Sequence, residues 1–112
     1  MENAIEQKSF MFAVKIVQTA RELRSRGKEH ELTRQLLRSG TSIGANVSEA
    51  QHAQSKSDFI AKMSIALKEA SETRYWLRLI KETDPAFSCE SLFSEADELI
   101  RLLCSIIKTA KH

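Results

Sequence analysis

RSGTSIGANVSEAQ, residues 38–51, is the stretch on which the reading of the fold turns. It sets two glycines, Gly40 and Gly44, among hydroxyl and amide residues and contains no proline. A flexible loop cradling a phosphate is one reading. A helix stripped of side chains so that a neighbour can sit close is the other. Phase separates them. Leu32, Leu36, Gly40, Ile43, Val47 and Ala50 recur at steps of four, four, three, four and three, the spacing of one helical face. A loop has no reason to hold that phase across two glycines. Each glycine costs about 1 kcal/mol against alanine inside a helix, so tolerating two points to close backbone approach, the steric role small residues play at helix contacts. The phosphate-loop reading also lacks a preceding strand pattern and a Lys-Ser or Lys-Thr after the second glycine.

The flanking segments carry the same period. In segment one, Phe12, Ala13, Ile16, Val17, Ala20 and Leu23 line one face, with Lys15, Gln18 and Glu22 opposite, and Gly27 stops it. Segment three follows Ser55-Lys56-Ser57-Asp58, which has capping-box spacing. It places Phe59, Met63, Ala66, Ala70, Thr73, Leu77 and Ile80 along a seam that ends at Asp84-Pro85. In segment four, Leu92, Ala96, Leu99, Leu103, Ile106 and Ala110 form a stripe widened by Phe93, Ile100 and Ile107, with Ser88 or Ser91 as its cap. The expectation is an all-α, antiparallel up-down-up-down four-helix bundle. Residues 1–112 form one domain, with helices over about 9–26, 29–53, 56–83 and 89–110.

Totals agree with this. Three glycines and one proline in 112 residues are too few for a sheet with a turn every ~8–12 residues. Cys89 and Cys104 read as reduced packing residues rather than a disulfide. The first twenty residues carry acids ahead of their apolar part, unlike a signal peptide, and the apolar runs are far too short to span a membrane. A cytoplasmic protein is expected. The net charge of +2 implies no partner by itself, but its distribution is uneven. Residues 1–81 hold 14 Lys/Arg against 9 Asp/Glu, whereas residues 82–112 hold 3 against 6.

Several constellations bear on function. On segment three, Ile65, Trp76 and Leu79 lie well away from the seam at 100° per residue, with Tyr75 beside them. Tryptophan outside the expected core marks a self-association face; a core wide enough to wrap round and include Trp76 is the other reading. Ser42, Asn46 and Glu49 form a polar strip on segment two, continued by Gln35 and Arg38, opposite Lys68, Glu69 and Glu72 of segment three. If the strip faces a neighbour its groups must be paired, which would fix register between helices or subunits. Arg21, Arg24, Arg26 and Lys28 gather at the first turn, and Arg74 and Arg78 near the end of segment three. Antiparallel packing brings both groups to one end of the bundle, where they can contact phosphates.

Enzymatic chemistry finds no footing. Glu49-x-x-His52 matches half of a di-iron helical motif, which needs a second copy and two further glutamates. No cysteine pair has zinc spacing. Ser42 has no histidine within helical reach to act as a base. No catalytic residue, metal or cofactor is expected.

The runs LTRQLLRSGTSIGANVSEA and DFIAKMSIALKEASETRYWLRLI resemble the small four-helix-bundle proteins encoded in intervening sequences of bacterial large-subunit ribosomal RNA genes. That family is similar to the accessory protein of diversity-generating retroelements. The most specific parts are Ser42-Ile43 with Asn46 and Glu49, and Ala66-Leu67-Lys68-Glu69-Ala70 with Glu72. Ala50 departs from it, since the family often has glycine after the acid. The resemblance implies a homo-oligomer, commonly a pentamer, and for the retroelement members nucleic-acid binding through basic surface residues. It carries no catalytic residues over. The joint expectation is a non-enzymatic homo-oligomer that binds RNA or DNA through Arg21, Arg24, Arg26, Lys28, Arg74 and Arg78 without base readout. The alternative is an oligomeric scaffold or protein adaptor with no nucleic-acid role.

Overall fold

The computed structural model describes residues 3–27 and 30–112. Four helices account for most of them: α1 (Ala4–Ser25), α2 (His30–Ala50), α3 (Lys56–Thr83) and α4 (Glu90–Ala110). They pack into a rod of 45 × 23 × 19 Å. Successive helices adjoin, and α4 closes back on α1, the loosest of the four seams. The diagonal pairs α1/α3 and α2/α4 make no close backbone approach among the described residues. Direction can be read from paired side chains. Asn3 Nδ2–H donates to Gln51 Oε1 at 3.0 Å, while Gly40 lies beside Ile16 and Gly44 beside Ser9. Lys15 meets Glu95 and Lys8 meets Glu98. Lys81 meets Glu90 and Arg74 meets Asp97. In each set the numbering rises along one helix as it falls along its neighbour, so the paired helices run antiparallel.

α2 is helical without interruption through Gly40 and Gly44, and the reason lies in α1. A Cβ built on Gly40 would stand 2.8 Å from both Cγ1 and Cγ2 of the fully buried Ile16. One on Gly44 would stand 3.2 Å from the Ser9 carbonyl oxygen. The glycines let α1 press against α2 at two successive turns. Gly27, with φ of 70°, ends α1 in the left-handed geometry that glycine adopts without strain, and its N–H reaches Arg24 O at 3.0 Å.

The core runs the length of the rod, with Phe12, Ile16, Leu36, Ile43, Met63, Leu77, Leu99 and Leu103 at its centre. Several expected positions move. α1 begins at Ala4 rather than at residue 9, because Asn3 and Glu6 form a reciprocal capping box that brings Ile5 into the core. Replacing Asn3 with alanine is expected to lower stability by about 1 kcal/mol, read from a urea midpoint. An unchanged midpoint would deny the cap that role. The expected start of α2 at residue 29 lies outside the described residues, and α2 stops at Ala50, short of residue 53. Ser55 accepts from Asp58 N–H at 3.0 Å, as the capping spacing predicts. Neither Ser88 nor Ser91 caps α4; Cys89 occupies that position without a side-chain hydrogen bond. Its thiol is buried and turned toward Leu77 O at 3.9 Å. Burial pushes that thiol's pKa up. Cys104 is exposed, so it is not the packing residue expected; both thiols are free.

Candidate nucleic-acid interface

The antiparallel order gathers the end of α1, the start of α2, the end of α3 and the start of α4 at one end of the rod. A direct contact ties them together: the Arg26 guanidinium lies 5.1 Å over the ring of the buried Phe87, in the link between α3 and α4. The basic residues of this end divide into two sets. Arg26 reaches Glu22 at 3.5 Å, Arg34 binds Glu31 at 2.7 Å and Lys81 binds Glu90 at 3.2 Å. Arg74 donates through Nε to Asp97 Oδ1 at 2.6 Å and lies 5.6 Å over Phe93. A phosphate approaching Arg74 must compete with that carboxylate. Arg21, Arg24 and Arg78 are exposed and have no acidic partner among the described residues. Lys28 lies outside the described residues. Of the six arginines and lysines singled out from the sequence, three are thus open to an incoming anion, and these three sit on two diagonal helices.

The polar strip pairs across to α3 at its Arg38 end, while Ser42 and Asn46 bond within α2. Ser42 Oγ donates to Arg38 O at 2.6 Å and Asn46 Nδ2 to Ser42 O at 2.8 Å, both within α2. Glu49 is exposed, as is His52 past the helix end. The pairing between α2 and α3 is made at Arg38, where the strip meets Glu69 and Glu72 of the opposing helix. Arg38 Nη1 donates to Glu69 Oε2 at 3.0 Å while Nη2 binds Glu72 Oε2. Glu72 Oε2 also accepts from the Trp76 indole at 3.1 Å. Below it, Thr73 Oγ1 donates either to Ser39 Oγ at 2.9 Å or to Glu69 O at 2.7 Å, with both residues fully buried. Glu69 is itself buried. The indole N–H and then the Arg38 guanidinium hold the Glu72 carboxyl below the usual carboxylate range, against the opposing effect of desolvation. Ser39 and Thr73 escaped sequence reading as a pair because hydroxyl residues at helical phase look like diluted core. Only the opposing helix shows that they bond each other.

The outer face of α3 is also rearranged. Trp76 is half-buried against the core and tied to Glu72, so its ring is largely spoken for. Leu79 is half-buried. Ile65 at 45% exposure and Tyr75 at 54% are the outward apolar groups, with the Tyr75 ring edge-on to Trp76 at 5.2 Å. α1 adds Phe10 and Met11, exposed by 62% and 52%, which the sequence reading did not single out. Their signal was available: the run Phe10-Met11-Phe12-Ala13-Val14 holds more apolar residues than one helical face can bury. Phe10, Ala13, Thr41, Gly44 and Ala45 line a groove of about 360 Å³ between α1 and α2, with Glu6 among its borders. No helix of the described residues is long and apolar enough to cross a membrane.

Comparison with known proteins follows the same lines. No curated protein matches the chain. A crystal structure of a protein with unknown function from the S23 ribosomal protein family of Bacteroides thetaiotaomicron superposes with a TM-score of 0.89 at 48% identity. The match covers 94% of this chain and 99% of that one. The family model described as 23S rRNA-intervening sequence protein matches residues 1–105. With nearly its whole length in that match and the four helices to go with it, the chain belongs to the 23S rRNA-intervening sequence protein family.

Proposed function

We propose that this protein is a non-enzymatic, cytoplasmic homo-oligomer that binds RNA or DNA through backbone phosphates, without reading bases. One observation carries the reading: Arg21, Arg24 and Arg78 are exposed at a common end of the rod with no acidic partner among the described residues. A guanidinium without a carboxylate neighbour is open to phosphate, which it binds in bidentate fashion. Placed on helices, the three hold fixed positions, and self-association multiplies them around a rim. With phosphates as the contacts, affinity rests on charge and falls with salt.

The test is fluorescence anisotropy with a labelled single-stranded RNA, titrated from ~50 mM salt upward. Wild-type protein is expected to bind with a steep log–log dependence on salt. The combined variant Arg21→Ala, Arg24→Ala, Arg78→Ala is expected to flatten that slope by about 2, from three phosphate contacts at about 0.7 each. Absence of binding at ~50 mM salt, or a slope the variant leaves unchanged, contradicts the proposal. The scaffold reading is favoured by a different observation, the exposure of Phe10, Met11, Ile65 and Tyr75. It predicts assembly with no affinity for nucleic acid in the same assay.

A further inference from the structure

The end of the rod away from Arg21, Arg24 and Arg78 holds an apolar cleft of about 300 Å³, on the loose α1/α4 seam. Ile5 and the fully buried Met63 lie deepest in it, and the half-buried Phe59, Leu102 and Ile106 form its walls. One helical turn on from Ala4 and Leu102, Lys8 and Glu98 join at 3.2 Å and bound the cleft on that side. Among the described residues that line it, only Asn3 and Gln51 are polar. Their amides are partly spent. Asn3 Nδ2 donates to Gln51 Oε1 and Gln51 Nε2 to Val47 O, both at 3.0 Å. An amide nitrogen carries two N–H groups, so each keeps one at the rim. The exposed Lys56 opens α3, three residues before Phe59 and seven before Met63, and therefore on their side of the helix. It has no acidic partner among the described residues. Asp58 pairs instead with Lys62 at 3.6 Å, and Glu6 is held in the capping box with Asn3.

We propose that this cleft binds a single-chain fatty carboxylate, with the hydrocarbon chain among the apolar walls and the carboxylate at the rim. The site is separate from the nucleic-acid reading and does not depend on it. An apolar interior gives water no partner, so it favours hydrocarbon. A rim that offers N–H groups and an ammonium, with no carboxylate turned toward it, favours an anionic head. The half-exposed walls suit a ligand whose one end stays in water. Size sets the chain length: the cleft of about 300 Å³ is roughly twice the ~150 Å³ cavity that holds benzene, which corresponds to a chain of about ten carbons.

Isothermal titration calorimetry of the full chain with decanoate tests the site. Wild type is expected to bind one decanoate per chain. Octanoate is expected to bind about tenfold more weakly, since each buried methylene contributes about 0.8 kcal/mol. Ala4→Trp places an indole in the mouth of the cleft and is expected to abolish binding. Ala4 is exposed at the first turn of α1, so the variant is expected to melt with wild type; Leu102→Trp is the second blocking variant if it melts early. Lys56→Glu is expected to weaken decanoate about fivefold, the scale of one exposed ion pair, and to leave 1-decanol unchanged. The triple variant Arg21→Ala, Arg24→Ala, Arg78→Ala is expected to bind decanoate like wild type, which separates this site from the phosphate contacts. Absence of heat up to ~1 mM decanoate, binding that both folded blocking variants retain, or equal loss of decanoate and 1-decanol in Lys56→Glu overturns the proposal.

Discussion

Gly40→Ala is expected to destabilise the protein by about 1–2 kcal/mol, although alanine is the better helix former. In an open helix the change gains about 1 kcal/mol. Here the new methyl group meets Ile16 Cγ1 and Cγ2 at 2.8 Å. Those atoms sit at the branch of a fully buried side chain with packed neighbours on every side, not at the free end of a flexible one. Forcing a methyl group into such a site costs about 1–3 kcal/mol, and separating α1 from α2 would spread that loss along the seam. Gly40→Val adds two more carbons and is expected to lose more than 3 kcal/mol, a large share of the 5–15 kcal/mol typical of a domain. Gly44→Ala is the comparison: its Cβ would lie 3.2 Å from Ser9 O, so a shift of a few tenths of an ångström suffices and its effect is expected to stay within about 1 kcal/mol. Urea midpoints at constant m-value give the order. A Gly40→Ala protein more stable than wild type contradicts the close contact.

Arg38→Ala is expected to lose about 1–3 kcal/mol. The Glu69 side chain is 9% exposed and the Glu72 side chain 29%, and Arg38 is the cation that bridges them. Removing one partner of a buried pair costs 3–5 kcal/mol because the remaining charge stays desolvated. Arg38 is itself 48% exposed, so water partly screens the pair and the figure is reduced accordingly. The loss then belongs to the stranded Glu69 carboxylate, and removing that as well should restore stability. Arg38→Ala combined with Glu69→Met is expected to recover most of the deficit, since methionine fills similar space without a charge. A double variant no better than the single one contradicts this.

Acid acts on the same cluster. Glu72 is held below the ordinary carboxylate range, first by the Trp76 indole and then by Arg38. A depressed folded value means stability present at neutral pH and lost as the pH falls through that value. Trp76→Phe removes the largest cause. Its melting temperature is therefore expected to fall less than that of wild type between about pH 6 and pH 3. Equal slopes would assign the acid sensitivity elsewhere.

Much of this was legible in the sequence. The phase from Leu32 to Ala50 disclosed a continuous helix, and the two glycines disclosed a close contact, though which neighbour met them emerged only from the packing against Ile16 and Ser9. Helix starts were less legible, because Asn3-x-x-Glu6 stands before a polar turn, Glu6-Gln7-Lys8, where apolar periodicity has not yet begun. Charge partners were the least legible. Arg21 and Arg74 look alike as letters, yet one is open and the other lies between Asp97 and Phe93, because only the α3/α4 register decides which acid faces which base. Trp76 was assigned outward from angle alone. A ring that large reaches from a flank position back to the core and to Glu72.

The groove, the Arg38 bridge and the gathering of Arg21, Arg24 and Arg78 at one end all depend on α2 running unbroken past Gly40 and Gly44. Native-state hydrogen exchange of the backbone amides from residue 39 to residue 47 tests this most directly. The fold predicts protection approaching that of global unfolding at each of these amides, as for a core helix. Exchange there at the rate of an open loop, with α3 and α4 still protected, would contradict it.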